Sequence, residues 1–293
     1  MMNLGIYESL ITETLKSRLD TIDRNEFYIA DRKKLDADEA VHFLAMHLGG
    51  AIKSALKLIK AEKKDLLVSK QIEITNNILK YLTQEISNYE FTEDLVYAEG
   101  LILEGVLDKL NSDYSDVKLH LSEIMPLTRL TQSELFTGGN VGLSLDAELK
   151  KEIRSSDRID LLVSFIKWKA IVILRDAFEE FTKRGGKLRI ITTTYMGATD
   201  AKAINELSKL PNTEVKVSYN NSNERLHAKA YLFFRNSGFH TGYIGSSNFS
   251  RSALTDGLEW NVKVTTKEIP HIIDKFQKTF ESYWNNAEFE LYD

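Results

Sequence analysis

The sequence contains no cysteine, which excludes disulfides and thiolate metal sites and leads us to expect a cytoplasmic protein. It has no run of eighteen or more apolar residues, so no membrane-spanning helix is expected. The opening Met1-Met2-Asn3-Leu4-Gly5 lacks the basic-then-apolar pattern of a secretion signal. A strong basic excess is missing too, the net charge being −5. The acid is concentrated at one end: residues 1–125 carry 15 Lys and Arg against 22 Asp and Glu, and residues 126–293 carry 23 against 21. A polyanion would therefore be held by a local basic cluster, not by a global field. This argues against a dedicated nucleic-acid binder and leaves room for an enzyme that grips one backbone segment.

What is present is the balance of a globular protein, 43% hydrophobic and 28% charged over 293 residues, long enough for two domains. The first third reads as helical. After Asp36, a good N-cap, Val41, Leu44, Leu48, Ile52, Ala55, Leu56 and Ile59 recur at helical spacing. A second helix fits Ile72 to Ile86, and a third fits Glu93 to Leu110. His42 and His47 are five residues apart, where a shared metal on a helix wants three or four, so they read as packing and surface residues. Between Pro126 and Gly142, Thr128, Thr131, Ser133, Thr137, Gly138, Gly139 and Asn140 cluster as a loop would. The domain boundary is placed there: a helical domain over 1–125 and an α/β domain over 126–293.

In the second domain short β-rich runs alternate with helices. Strands are expected at 158–166, 187–193, 213–219, 226–234, 241–245 and 258–265. Helices are expected at 171–183, closed by Gly185-Gly186, at 200–210, from Phe249 to Leu254 and at 268–284.

Chemistry gathers in the last third. Side chains on a strand alternate between faces, so His227 and Lys229 share one face with Tyr231 and Phe233. Phosphoryl transfer needs both an acid–base or nucleophilic group and a fixed cation for the non-bridging oxygens. Next comes Gly245-Ser246-Ser247-Asn248, a turn from a strand into a helix, where small polar side chains and free N–H groups favour an anion. An ordinary capping turn with no ligand is the plainer alternative. Third, Glu259 shares a face with Asn261 and Lys263, and a carboxylate near an imidazole fixes its tautomer.

His227-x-Lys229, Gly245-Ser246-x-Asn248 and Glu259 together resemble the HKD signature of the phospholipase D superfamily. The resemblance implies a phospholipase D-like α/β sandwich with a mixed sheet. It also implies roles: His227 as the nucleophile that forms a phosphohistidine, Lys229 and Asn248 as holders of the phosphate oxygens, and Glu259 as the group that orients His227. It implies no metal and no cofactor. Ser246, Ser247, Arg225 and Arg251 are further substrate-binding candidates. The resemblance covers roughly residues 134–284 and extends in particular to the domain that precedes the motor of bacterial DEAD/DEAH-type helicases and to restriction-type nucleases. Thr192 to Asp200 looks like a loop of those helicase-linked domains, and the ending from Tyr283 to Asp293 like their junction with the motor. No Walker A sequence occurs, so a helicase region is expected elsewhere in a longer protein.

The sequence departs from the family pattern at Phe234, where an aspartate is usual, and in a longer gap to Gly245. The remaining histidines, His42, His47, His120, His240 and His271, do not begin a second His-x-Lys. Since the chemistry uses two histidines, a symmetric homodimer pairing two His227 side chains is expected. The leading expectation is a metal-independent phosphodiesterase acting on DNA. The alternative is a catalytically inactive module for nucleic-acid contact or assembly. A lipid phosphodiesterase is disfavoured by the lack of a basic amphipathic membrane helix.

Overall fold

The computed structural model describes residues 5–24, 27, 29–86, 89–107, 117–138, 143–220 and 226–292. The chain divides into two compact units, residues 1–104 and 105–293. The Pro126 to Gly142 stretch falls inside the second, and its residues 139–142 lie outside those described.

The first unit contains α1 (Glu13–Asp23), α2 (Ala37–Leu58) and α3 (Lys64–Glu85). Asp36 caps α2 by accepting from the Asp38 N–H at 2.9 Å, and acids in the first turn with Lys57 in the last complement the helix dipole. The expected helix from Glu93 does not form. A 3-10 turn at Phe91–Asp94 gives way to irregular chain over the described residues 95–107. Gly100 breaks it with φ +65°, a left-handed conformation closed against Val68 and Ile72. Among the described residues of this unit only Leu19 is buried. The apolar stripe Val41, Leu44 and Leu48 is exposed, because among the described residues no other element of the unit covers it.

The second unit opens with α4 (Val117–Ile124), β1 (Glu134–Phe136) and α5 (Leu145–Ser155). Then come β2 (Arg158–Val163), α6 (Trp168–Lys183), β3 (Lys187–Thr193), α7 (Ala201–Ser208) and β4 (Thr213–Ser218). The hairpin β5 (Lys229–Phe234) and β6 (Thr241–Gly245) is followed by α8 (Arg251–Leu254), β7 (Asn261–Thr265), α9 (Pro270–Trp284) and β8 (Phe289–Leu291). Eight strands form one mixed sheet in the order β1-β7-β6-β5-β2-β3-β4-β8. β2, β3 and β4 are parallel, and every other pairing is antiparallel. The α/β class expected from the sequence is the class observed.

Strand parity sorts the core into two layers. Leu161, Ile190, Val215, Tyr231 and Tyr243 face α5, α6, α7 and α8, while Leu162, Ile191, Leu232 and Phe234 face α9. The two faces of β2 and β3 are both covered, which is why those strands read as continuous apolar runs. The end of α6 is fixed by a Schellman turn. Gly186 N–H reaches the Phe181 carbonyl (3.0 Å) and Gly185 N–H that of Thr182 (3.1 Å), with Gly185 at φ +96°.

Helix α5 and strand β1 were not anticipated. The inward face of α5 carries Glu148 and Glu152 beside Leu149 and Ile153, all fully buried. Lys263 Nζ from β7 bridges both carboxylates at 3.0 and 2.9 Å, Arg235 Nη2 joins Glu152, and the Tyr243 hydroxyl donates to Glu152 at 2.8 Å. Burial by itself would raise the Glu152 carboxyl, but Arg235 and Lys263 outweigh it and hold the group at about 2. Two charges on an inward face disguise a core helix when their partners lie over eighty residues away in sequence.

Candidate active site

The parallel strands β2, β3 and β4 end at one edge of the sheet, where open α/β sheets place their ligands. β5 runs antiparallel to β2 and begins at that edge, Lys229 pairing with Val163. β6 ends there and β7 begins there, Gly245 opposite Asn261. Three separate segments, at the start of β5, the end of β6 and the start of β7, thus deliver His227, Asn248 and Glu259 to one edge.

His227 lies just before β5 and is exposed, whereas Lys229, its first residue, is only 6% exposed. The alternation expected for the two holds: Lys229 shares its face with Tyr231 and Phe233 in the helix-covered layer. Its Nζ donates to the His227 carbonyl at 2.8 Å and stands 3.1 and 3.2 Å from the ring Nδ1 and Nε2. Burial lowers the pKa of Lys229, and the negative charge of Glu259 opposes that shift. Cation and imidazole therefore share one spot, the first at the base and the second at the rim.

The turn after β6 is built by close approach. A Cβ on Gly245 would lie 2.1 Å from the Trp260 carbonyl oxygen and 2.5 Å from Asn261 Oδ1, so only glycine fits. Ser247 is fully buried. Its hydroxyl donates to the Ala253 carbonyl and accepts from Asn261 Nδ2 at 2.7 Å, and its carbonyl accepts from the Tyr231 hydroxyl. Ser247 thus holds the turn and does not face a substrate, contrary to the expectation for it. Tyr231 and Asn261, which the sequence reading did not single out, clamp it from below. The capping alternative is displaced as well: the helix opens at Arg251, with Ser250 as its N-cap. One helical turn of this length offers no anion site of its own.

Asn248 is 8% exposed, and its Oδ1 accepts from the Phe165 N–H at 3.3 Å. That bond fixes the amide so that Nδ2, which makes no hydrogen bond among the described residues, remains a donor. Glu259 is half-buried and accepts from the exposed Ser246 hydroxyl, whose oxygen also accepts from the Trp260 N–H at 3.1 Å. Among the described residues Glu259 makes no hydrogen bond with His227, so it reaches the site through Ser246 and through its charge at Lys229. Arg251 is exposed in the first turn of α8, and Arg225 lies outside the described residues.

Phe234, in the place of the family aspartate, is at the far end of β5. Five residue steps of about 3.3 Å put it roughly 16 Å from Lys229 along the strand. It is 7% exposed, packs with Leu232 and Phe280 against α9, and lies under the Arg158 guanidinium at 3.9 Å. Phe234 is thus a core residue at the opposite end of β5 from Lys229. Among the described residues, no three His, Asp or Glu side chains converge as a metal site would require.

Residues 149–284 match the protein family described as cardiolipin synthase, PLD-like domain. No curated protein matches the chain. Among solved structures, NucT from Helicobacter pylori is similar at 21% identity, over 52% of this chain and 94% of that one, with a TM-score of 0.38. Nuc from Salmonella typhimurium, a phospholipase D family member, is similar at 19% identity over 55% and 99%, with a TM-score of 0.39. Yeast tyrosyl-DNA phosphodiesterase is similar at 15% identity over 45% and 31%, with a TM-score of 0.32.

Proposed function

We propose, from the match of residues 149–284 to a phospholipase D-like domain family, that the protein is a metal-independent phosphodiesterase acting on DNA through a phosphohistidine at His227. The observation that carries the reading is the shared position of an exposed imidazole and the ammonium of a buried lysine, Nζ 3.1 Å from the ring Nδ1. A ring nitrogen of His227 attacks phosphorus, the P–O bond to the leaving strand breaks, and a second histidine protonates the departing oxygen. Water then attacks the phosphohistidine, that second histidine takes its proton, and the P–N bond breaks. Lys229 Nζ and Asn248 Nδ2 donate to the non-bridging oxygens, where charge builds in both steps. Ser246 and Glu259 set the floor of the turn.

The second histidine comes from another copy of the chain, since only one His-x-Lys is present. A bare corner of the sheet supports the pairing. Leu135, Val262 and Ile244 lie opposite one another across β1, β7 and β6 on the face that α9 leaves open, and each is more than 40% exposed. Trp260, 64% exposed, extends this patch to the edge that carries the site. A contiguous apolar surface of this kind marks an interface, and this one adjoins the residues that need a partner.

The competing reading is a module without turnover, retained for nucleic-acid contact or assembly. The burial of Phe234 far from the edge weighs against it. The resemblance of Thr192 to Asp200 to helicase-linked domains is what supports a helicase or restriction context in this proposal. The test is incubation of the purified protein with end-labelled single-stranded and duplex DNA, with and without EDTA. Cleavage that survives chelation, vanishes in His227→Ala and leaves an acid-labile phosphoprotein on quenching is expected; no cleavage of any nucleic acid overturns the proposal.

A further inference from the structure

Three chain segments lie side by side along the reactive edge, each hydrogen-bonded to the next. Asn248 accepts from the Phe165 N–H, Ile166 pairs with Phe249, and the Lys167 N–H donates to the Phe249 carbonyl at 2.7 Å. On the other side of residues 164–168, the Asp200 N–H donates to the Ile166 carbonyl at 2.9 Å, and the Asp200 carboxylate accepts from the Trp168 N–H at 2.8 Å. The order across the edge is therefore the seat at Asn248, then 164–168, then 199–202. Hydrogen-bonded backbones lie about 5 Å apart, which puts the third segment roughly 10 Å from the seat.

Every segment in this series carries cations. Arg251 follows the seat, Lys167 and Lys169 lie at the start of α6, and Lys202 lies at the start of α7. Arg251, Lys169 and Lys202 are exposed, and among the described residues none is within ion-pairing distance of a carboxylate. Lys167 alone is partnered, by Asp200 at 3.3 Å. Glu206, one turn beyond Lys202, is engaged by Lys209 at 2.8 Å. The Lys202 ammonium sits over the Trp168 ring, 4.3 Å from its centroid, which holds it beside the middle segment. In a chain of net charge −5, cations outside any close ion pair, although Lys202 and Arg251 lie within the electrostatic reach of Glu206 and Asp256, form a directional feature on adjoining segments beside a phosphate seat. A single phosphate needs only the seat. A chain with one phosphate per residue needs a row.

We infer that Lys169 and Lys202 form a track that holds the phosphates next to the scissile one on a single nucleic-acid strand. This rests on the phosphodiesterase reading and names the direction in which its substrate leaves the seat. It also gives the Thr192 to Asp200 loop a task, since that loop delivers Asp200 and Lys202 to the edge.

The test uses the full chain and the double variant Lys169→Gln/Lys202→Gln. Binding of a fluorescent single-stranded oligonucleotide is followed by anisotropy against salt, and turnover is measured on bis(4-nitrophenyl) phosphate. The variant is expected to bind the oligonucleotide about tenfold more weakly at moderate salt. Its log–log salt slope should be shallower by about 1.4, the value for two lost contacts to a single strand. Hydrolysis of the small diester should be unchanged. An unaltered salt slope overturns the track, whether or not the diester is hydrolysed. Failure of the wild type on the small diester, with the slope change intact, counts against the phosphodiesterase reading and leaves the track standing. Loss of binding to anionic phospholipid vesicles without loss of oligonucleotide binding would assign these lysines to a lipid surface and overturn it.

Discussion

The Nζ of Lys229 lies 2.8 Å from the backbone oxygen of His227 and within 3.2 Å of both ring nitrogens. The bond to the carbonyl pins the ammonium against the strand, so its position does not depend on the rotamer of the histidine above it. A cation placed in advance at a developing phosphorane charge needs no reorganisation during the reaction. Replacing Lys229 with Met should lower kcat for phosphodiester hydrolysis about 100- to 1000-fold, with the near-ultraviolet circular dichroism of the wild type preserved. A loss under threefold in a folded variant would remove Lys229 from the mechanism.

The same burial sets a pH limit. Lys229 is held below its ordinary value by desolvation, and the proposed mechanism uses its charged form. Activity should therefore fall on the alkaline side before a free lysine would titrate, and Lys229→Arg, whose guanidinium stays charged, should move that limb to higher pH. Alkaline limbs that coincide in the two proteins would contradict this.

Ser246 and Glu259 act as a unit, because the hydroxyl donates to the carboxylate while accepting from the Trp260 N–H. Ser246→Ala and Glu259→Gln should each reduce kcat by about tenfold, and the double variant should be little worse than either one. Multiplied losses in the double variant would show two independent roles.

The Glu152 carboxyl couples the core to acid. Its folded value of about 2 lies below the ordinary 4.5, so its contribution is fully present above pH 4.5 and is lost as pH falls towards 2. The shift corresponds to something on the order of 3 kcal/mol. Urea unfolding across that window should show a falling midpoint for the wild type. Glu152→Gln should be less stable at neutral pH, having left Arg235 and Lys263 under-paired, and should lose less on acidification. Parallel pH dependences would refute the assignment.

Gly245→Ala places a methyl group where the Trp260 carbonyl and Asn261 already stand. It should abolish turnover while the thermal midpoint falls by only several degrees, since the sheet survives a displaced turn. Gly238→Ala, with φ +80° and open space around its Cβ, should cost stability alone and serves as the control.

The bare sheet corner predicts assembly. Trp260→Asp should shift sedimentation from dimer to monomer and make specific activity rise with protein concentration. A wild type that sediments as a monomer at every concentration would dismiss the paired histidines.

Much of this was legible in the sequence, for reasons that are local. The alternation of the strand expected at 226–234 assigned His227 and Lys229 to one face, Gly185-Gly186 marked the end of α6, Asp36 capped α2, and apolar runs located β2 and β3. Signals of that kind lie within a few residues of what they specify. Helix α5 was illegible because its inward Glu148 and Glu152 are core residues only once Lys263 and Arg235 arrive from other strands. The helix expected after Glu93 failed because periodicity carries no record of the backbone angle that Gly100 takes.

The sequence by itself determined which groups can do chemistry here, because residue type and strand period are local properties. Only the tertiary structure decided what each one does. Burial turned Ser247 from a contact into a brace, the hydrogen bond from Phe165 aimed Asn248, and the length of β5 carried Phe234 out of the site. Those outcomes depend on which distant segments share an edge, and a sheet order that interleaves β7, β6, β5 and β2 is fixed by long-range pairing alone.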